Sequence, residues 1–376
     1  MDFRYNDEQL AMQATLQRFI ERDYGFTERR ALAASASGFS TAAWTQYAQL
    51  GLLALPLPQQ FDGLGGGAFD VMVVMEQVGR GLLLEPYLTT VVLCAGLVAD
   101  AAPPAMQQAL LPQVAAAQCK LALAAYEPAS RYELAQVATT ATRSTAGWQL
   151  SGFKAVVLDA PSADAFIVSA REAEGDGLSL FLVPRTAAGL TVSSYPTQSG
   201  ARAGDVQLAK VSVGADALIG TVGGGLAPLE KAVDVAIAAL CAEALGIMSA
   251  LNQATLAYLK TRKQFGVAIG AFQALQHRMA DMYIAEEQAR SMAIIAADRV
   301  AGADAAARRR AVAAAKAYIG QAARQVGQEA VQLHGGMGVV DELIVSHYFK
   351  RLSMIEQTFG DTDYHLARFA QAAPVP

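Results

Sequence analysis

Two short segments carry residue types that can bind a phosphate. The first is TRKQFGVAIGAFQALQHRMADM, residues 261–282, and the second is QEAVQLHGGMG, residues 328–338. Arg262 can make charge-assisted hydrogen bonds to phosphate oxygens, and Gly335 and Gly336 let a backbone approach a phosphate or a ribose. Each segment alone also has a structural explanation. Arg262 and Lys263 can lie in the last turn of a helix that Gly266 caps, and the two later glycines can end another helix.

The composition predicts a multidomain protein that buries an unusual share of its surface. A chain of 376 residues allows two or three domains. Hydrophobic residues make up 53% and charged residues 17%, whereas about a quarter of a typical soluble protein is charged. We therefore expect oligomerisation. The longest apolar run, residues 233–248, contains Asp234 and Glu243, so no membrane span of about 20 uncharged residues is expected.

Charge and cysteine usage narrow the class further. The net charge of −5 and the lack of a long basic run argue against nucleic-acid binding. The polar start MDFRYNDEQL is not typical of a signal peptide. Cys94, Cys119 and Cys241 lie in apolar runs and are predicted to be free buried thiols in a reducing cytoplasm. The spacing of His277, His334, His347 and His365 predicts no metal site.

The elements that must position the two segments form three zones. The predicted fold is α+β and mainly helical, with an N-terminal helical domain over 1–117, a middle antiparallel β-barrel or sandwich over 118–222, and a C-terminal four-helix bundle over 223–376. In the first zone, Asn6 to Gln9 is a predicted helix cap. Helices are predicted over 41–51, 68–80 and 105–117, the last kinked or divided by Pro112.

The middle and C-terminal zones differ in their periodicity. Short Val-, Leu- and Thr-rich segments predict strands over 137–142, 148–158, 165–170, 178–183 and 206–213, with hairpin connections at 144–147 and 175–177. The later zone repeats apolar residues at steps of three or four. That pattern predicts long helices over 229–260, 272–301, 305–334 and 341–356.

Taken together, the order and spacing of the two segments resemble the acyl-CoA dehydrogenase family. The resemblance covers nearly the whole chain and implies FAD as the cofactor. It assigns cofactor contacts to Arg262, Gln264, Phe265, Gln273, Gln332, Gly335 and Gly336. Phe265 would pack on the flavin or the adenine, and Gln273 and Gln332 would hydrogen-bond polar edges. The resemblance also implies that the two segments meet across a subunit interface and that the flavin itself accepts the hydride.

The residue that should remove the α-proton of the thioester is not where the family has it. Most members place a glutamate directly before the glycine of the last loop, and that position is Phe359 here; a minority use the position of Ala236. Asp361 and Glu243 are the candidate catalytic acids. Asp361 is also a good helix cap, and Glu243, in an apolar stretch, could be a buried structural acid. A third alternative is an acid supplied by a partner chain.

The predicted function is FAD-dependent α,β-dehydrogenation of an acyl-CoA by a subunit of an acyl-CoA dehydrogenase. The resemblance implies electron-transfer flavoprotein as the acceptor and a homo- or hetero-tetramer, and it suggests a dicarboxylyl chain. Two alternatives stay open. One is another acyl-CoA flavoenzyme, such as an oxidase or a desulfinase. The other is a non-catalytic structural subunit of a heteromeric dehydrogenase, which the missing glutamate favours and the retained Arg262, Gln273 and Gln332 oppose.

The flavin loop also departs from the family pattern. Tyr126-Glu127-Pro128-Ala129-Ser130-Arg131 replaces a glycine-rich Thr-Glu-Pro sequence, and Val156 stands where the family has a tryptophan against the flavin.

Overall fold

The computed structural model describes residues 4–145, 147–172, 175 and 177–372. The chain divides into two compact units. The helical unit comprises Met1–Arg30, Ala68–Leu83 and Ile237–Pro376, and the sheet unit comprises Ala31–Gly67 and Leu84–Ala236. The α-helices are α1 (Asp7–Asp23), α2 (Phe26–Ala34), α3 (Thr41–Gln49), α4 (Ala68–Gly81), α5 (Gly96–Ala101), α6 (Pro104–Ala115), α7 (Leu226–Thr261), α8 (Gln273–Val300), α9 (Ala305–His334), α10 (Ile344–Gln357) and α11 (Thr362–Gln371).

Local signals set several helix ends in the helical unit. The Asn6 side chain accepts from the Gln9 N–H and the Gln9 side chain accepts from the Asn6 N–H, which is a complete capping box before α1. Helix α9 has the predicted bounds, and Asp304 caps it by accepting from two backbone amides. Helix α10 starts three residues later than predicted, because Asp341 lies before it and pairs with Arg30.

The helix α7 is long and apolar enough to cross a membrane by composition and length alone. However, 89% of its most apolar window is buried inside the protein. Core helices of globular proteins meet the same criterion, so α7 is weak evidence for a membrane span. Leu240, Ile247 and Leu251, which follow the apolar spacing of three or four residues, are fully buried.

The sheet unit contains α3, α5, α6 and a π-helix over Tyr87–Ala95. Of the two alternatives predicted for Pro112, a kink or a division of the helix, the division was wrong, because α6 runs through Pro112 from Pro104 to Ala115. Pro104 occupies the first turn of α6, where its missing N–H costs no intrahelical bond.

The strands form an eight-stranded sheet in the order β6-β7-β3-β2-β4-β5-β8, and β1 pairs with β4. They are β1 (Leu121–Ala124), β2 (Thr140–Ser144), β3 (Gly147–Leu158), β4 (Ala165–Glu172), β5 (Leu178–Pro184), β6 (Leu190–Pro196), β7 (Arg202–Gly214) and β8 (Leu218–Ile219). All five predicted strands are present, but the antiparallel prediction was wrong for two pairs. Strands β1 and β2 both run parallel to β4, each along a different part of it.

Both predicted hairpins join antiparallel neighbours, β2 to β3 and β4 to β5. Within their connections, residues 146, 173, 174 and 176 lie outside the described residues. One apolar core lies in this unit, with Trp148, Phe166, Phe181 and Val206 among its buried members. The three cysteines are free and buried.

Candidate functional site

The first candidate segment, residues 261–282, begins with a tight hairpin after α7. Strands β9 (Lys263–Gln264) and β10 (Val267–Ala268) pair with Gln264 opposite Val267, so Phe265 and Gly266 form a two-residue turn. Both have positive φ, 54° and 82°, as the favoured hairpin turns require. The prediction that Gly266 caps α7 was therefore wrong, and Arg262 lies just beyond the last helical turn. This turn leaves the Phe265 side chain 92% exposed.

Three polar side chains of this segment are exposed, those of Arg262, Gln264 and Gln273. In the part of the chain that the structure describes, no hydrogen-bonding group meets the side chains of Arg262, Gln264 or Gln273. The Arg262 carbonyl accepts from the Ile269 N–H at 2.9 Å, which brings Arg262 close to the start of α8. The N-cap residue of α8 is Phe272, and no side chain of a described residue caps this helix start. An uncapped helix N-terminus next to a cation is suited to an anion.

The second segment ends α9 as predicted. The last helical residue is His334, and Gly335 follows with φ 59°, a conformation that favours glycine. A Cβ atom added at Gly335 or Gly336 would meet no described atom within 4 Å. Gln332 is exposed one turn earlier, and its side chain has no partner among the described residues. Space for a ligand therefore lies directly against this backbone.

Within one chain, the end of α7 that leads into the first segment lies beside the second segment. The rings of Tyr258, one turn before Arg262, and His334 stack with centroids 4.4 Å apart. Burial lowers the pKa of His334, whose Nδ1 lies 2.8 Å from the Ala330 carbonyl oxygen. We call Arg262, Gln264, Phe265, Gln273, Gln332, Gly335 and Gly336 the Arg262 surface. That its two segments also meet across a subunit interface stays a prediction.

The residues predicted for cofactor binding therefore have the chemistry that an adenine dinucleotide needs. The surface offers one cation for the pyrophosphate, amides for polar edges, an exposed aromatic ring and glycine backbone with open space. Within the described residues, no group of three His, Cys, Asp or Glu side chains could hold a metal ion.

The loop that carries Phe359 is largely buried and is held by hydrogen bonds. We call residues 356–362 the 359 loop. Phe359 is 8% exposed and has a positive φ of 59°, which is uncommon for a bulky residue. Lys316 donates to the carbonyls of Glu356 and Gly360 at 2.9 and 2.7 Å, and His365 Nε2 lies 3.1 Å from the Phe359 carbonyl. Burial lowers the pKa of His365 to about 3, so this ring is neutral and donates from Nε2.

Asp361 and Glu243, the two candidate acids, have structural partners. Asp361 is the N-cap of α11 and accepts from the Tyr364 N–H at 2.9 Å. Glu243 is buried in α7, and its two oxygens accept from Arg351 at 2.5 and 2.7 Å. A bidentate pair of this kind stabilises the carboxylate and satisfies both of its oxygens. The catalytic role of either residue stays a prediction.

Sequence reasoning missed Lys154 in the sheet unit. Its ammonium is fully buried and donates to Glu127 at 2.7 Å and to Ser169 at 2.9 Å. Glu127 also accepts from the Thr139 hydroxyl and from two backbone amides. Burial lowers the pKa of Lys154 to about 8, and hydrogen bonds from Lys154 and Thr139 outweigh burial to lower that of Glu127. The signal in the sequence that could have identified Lys154 was a single lysine within an apolar strand.

The Glu127 carboxylate is thus buried and fixes the loop over 126–131, in which Pro128, Ala129 and Arg131 are exposed. Val156, at the position of the family tryptophan, is 54% exposed and has φ 52°. Its N–H donates to Asp205 at 2.9 Å. A β-branched residue in this conformation is strained.

Comparison with known proteins gives consistent matches along the chain. Models of the N-terminal, middle and C-terminal domains of acyl-CoA dehydrogenases match residues 6–118, 122–211 and 223–373. The short-chain specific acyl-CoA dehydrogenase of Sus scrofa is 28% identical over 86% of this chain and 80% of its own. The acyl-CoA dehydrogenase IpdE2 of Mycolicibacterium smegmatis is 29% identical over 96% of this chain and 98% of its own.

Solved structures agree with these relatives. A variant of the steroid acyl-CoA dehydrogenase Tcur3481–Tcur3483 is 31% identical, with a TM-score of 0.89 and 97% of each chain covered. The ChsE4–ChsE5 complex of Mycobacterium tuberculosis is 27% identical, with a TM-score of 0.91 over the whole of both chains. The FAD complex of PigA is 26% identical, with a TM-score of 0.90 over 99% of this chain and 98% of that one. With three domain models in order and a relative above 30% identity over nearly all of both chains, this chain belongs to the acyl-CoA dehydrogenase family.

Proposed function

We propose that this chain is an FAD-binding subunit of an acyl-CoA dehydrogenase and that the Arg262 surface holds the nucleotide part of FAD. The observation that carries the proposal is the exposed Arg262 guanidinium, unpaired within the described residues, near the uncapped start of α8. Arg262 binds the pyrophosphate. Gln264, Gln273 and Gln332 bind polar edges, Phe265 covers a ring, and the backbone of Gly335 and Gly336 approaches the nucleotide. FAD, when bound, supplies the acceptor for the hydride that leaves the β-carbon.

A partner chain supplies the acid that removes the α-proton. Two contacts support this part of the proposal: Asp361 caps α11, and Glu243 gives both carboxylate oxygens to Arg351. The alternative that the acid moved to Asp361 or Glu243 within this chain predicts a different result. Deprotonation and hydride departure must be coordinated, so an FAD-loaded chain without a base should reduce its flavin slowly.

Anaerobic mixing with acyl-CoA thioesters tests the source of the base. If the partner supplies it, the isolated yellow chain keeps its flavin colour and adding the partner restores bleaching. If the acid moved, the isolated chain bleaches, and Asp361→Asn or Glu243→Gln abolishes bleaching without loss of FAD. Rapid bleaching of the isolated chain that neither substitution slows would refute both versions.

Restoring the family acid is a second test. Phe359→Glu should raise the bleaching rate of the isolated chain by about 10²- to 10⁴-fold, the usual contribution of a positioned acid or base. Phe359→Gln is the matched control, because it introduces a similar side chain that cannot take the proton.

The substrate and the assembly are further parts of the proposal. The runs DVAIAALCAEALG (234–246) and FGDTDYHLARFA (359–370) resemble the small subunit of pimeloyl-CoA dehydrogenase, which favours a dicarboxylyl-CoA. A heteromeric tetramer in the cytoplasm, with electron-transfer flavoprotein as acceptor, fits that resemblance. Two similar structures, Tcur3481–Tcur3483 and ChsE4–ChsE5, are named for two components.

Exposed apolar side chains on α7 and α8, including Leu256, Tyr283 and Ile284, support oligomerisation. A monomer by light scattering at micromolar concentration would contradict it.

Two other functions on the same scaffold make different predictions. An oxidase would turn over in oxygen at least as fast as with a dye acceptor, and a desulfinase would release sulfite from a suitable acyl-CoA. A purely structural subunit would purify colourless and stay colourless after incubation with FAD, which the exposed Arg262 surface opposes.

A further inference from the structure

A stripe of three residues along α9 faces the 359 loop. Lys316, Gly320 and Arg324 follow one another at steps of four and therefore lie on one face of the helix. Each of them contacts the 359 loop in a different way. The mechanism proposed above uses none of them.

Lys316 contributes hydrogen bonds to the loop backbone. Its ammonium is 1% exposed and donates to the Glu356 carbonyl, in the last turn of α10, and to the Gly360 carbonyl. It forms no ion pair with a described residue. A buried cation without an ion pair is costly unless hydrogen bonds compensate it. The negative end of the α10 dipole and the two carbonyls provide that compensation.

Gly320 allows the 359 loop to pack closely against α9. A Cβ atom at this position would lie 2.8 Å from the Thr362 hydroxyl oxygen and 3.3 Å from Glu356 Cγ. Any larger residue would therefore push the loop away from α9.

Arg324 contributes a charge contact with Glu356, whose Oε1 accepts from Arg324 at 3.1 Å and also from the Thr362 N–H and hydroxyl. The loop is thus held at its first residue, at its end and at Gly360. The His365 ring holds the Phe359 carbonyl from α11.

We propose that Lys316 is a positioning residue that, with Gly320 and Arg324, fixes the 359 loop so that side chain 359 projects in one orientation. The significance of position 359 rests on the proposed function, whereas the fixing of the loop does not. A loop held at the carbonyls of Glu356, Phe359 and Gly360 keeps its geometry whichever side chain stands at 359. The backbone at position 359, where most of the family has the catalytic glutamate, therefore keeps its geometry although Phe359 stands there.

A reporter at position 359 tests the proposal on the full-length protein. Phe359 is replaced site-specifically by 4-fluorophenylalanine, and its ¹⁹F NMR spectrum is recorded. One narrow line is expected. Lys316→Met should shift and split or broaden this line, because the carbonyls of Glu356 and Gly360 lose their donor. Gly320→Ala should also move the line, because the added methyl group displaces the loop.

Two controls separate positioning from general loss of stability. Lys154→Met removes an equally buried lysine from the sheet unit and should leave the 359 line unchanged. A second reporter at Phe181, in the core of the sheet unit, should not respond to Lys316→Met. These readouts do not use flavin reduction, so a failure of the proposed function and a failure of this inference are distinguishable.

Two results would overturn the inference. One is several exchanging lines at position 359 in the otherwise unaltered protein, which would mean that the loop is not fixed; this holds even if Lys316→Met does not fold. The other is a folded Lys316→Met protein with an unchanged 359 line.

Discussion

The Arg262 surface and the 359 loop differ in whether their polar groups have hydrogen-bond partners within the protein. On the Arg262 surface, the side chains of Arg262, Gln273 and Gln332 are exposed and unpaired among the described residues, and the glycines face open space. In the 359 loop, Glu356 and the backbone carbonyls bond to Lys316, Arg324 and His365. Hydrogen-bonding groups left exposed are available to a ligand, whereas buried groups must be satisfied within the protein.

The residues that the family resemblance assigns to FAD are all exposed. The acids nearest the expected base position already have partners in the fold. The comparison therefore predicts that substitutions on the Arg262 surface change cofactor binding and spare stability, whereas substitutions around Glu243 and the 359 loop change stability.

The largest effect is expected from Arg351→Met, which leaves Glu243 as an unpaired buried carboxylate. Breaking a buried ion pair by removing one partner costs about 3–5 kcal/mol. We expect the lower end, about 3 kcal/mol, because the Arg351 side chain is 22% exposed. Urea unfolding measures the loss. Adding Glu243→Gln should recover part of it, and a double variant no more stable than Arg351→Met would contradict the pairing.

Arg262→Ala should weaken FAD binding without lowering stability of the apoprotein. Hydrogen bonds to a charged group contribute about 1.5–3 kcal/mol, so the Kd for FAD should rise by about 10- to 150-fold. Flavin absorbance after dialysis and titration of the apoprotein measure the change. Lys260→Ala, which removes an exposed cation near the end of the same helix, is the control. Full retention of flavin by Arg262→Ala would contradict the assignment.

The burial of Lys316 predicts a particular dependence of stability on pH. Burial lowers its pKa to about 8, below the ordinary value of about 10.5 that it recovers on unfolding. Between these values the unfolded chain binds more protons, so the stability of the wild type relative to Lys316→Met should rise with pH. The slope is at most about 1.4 kcal/mol per pH unit for one proton.

The charged and titratable groups that act on Lys316 are Cys241, Glu356, Asp361 and His365. Because these groups are present in both the wild type and Lys316→Met, the difference between the two unfolding free energies reports the contribution of Lys316. A falling difference for Lys316 would mean that its ammonium is stabilised rather than penalised by burial.

The smallest effects are expected at Asp361. Asp361→Ala removes the cap of α11 and should cost about 1 kcal/mol, whereas Asp361→Asn keeps an equivalent acceptor and should cost almost nothing. Thermal unfolding of both variants measures this. If Asp361→Asn also leaves flavin reduction in the assembled enzyme unchanged, Asp361 is a cap alone. Loss of reduction at full stability would instead identify it as the displaced base.

Local patterns in the sequence determined the helices and the type of site. Signals that lie within a few residues could be predicted from the sequence. They are the helix cap at Asn6, the uninterrupted helical periodicity over 305–334 and the short Val-, Leu- and Thr-rich segments of the middle zone. The order of the Arg262 and Gln332 segments likewise indicated the family and its cofactor. The start of α10 and the hairpin at Gly266 were missed, because more than one local structure accommodates the same residues.

Tertiary structure alone decided which charged groups meet and which strands run parallel. Glu243 pairs with Arg351, which lies 108 positions later in the chain. Lys154 pairs with Glu127, from which it is separated by 27 positions. Strand β4 pairs in parallel with β1 at one end and with β2 at the other. No periodic pattern in the sequence predicts these contacts, because each depends on how distant elements pack rather than on the preferences of neighbouring residues. The sequence could name Glu243 as an unusual buried acid, but whether it was free or paired depended on the position of α10.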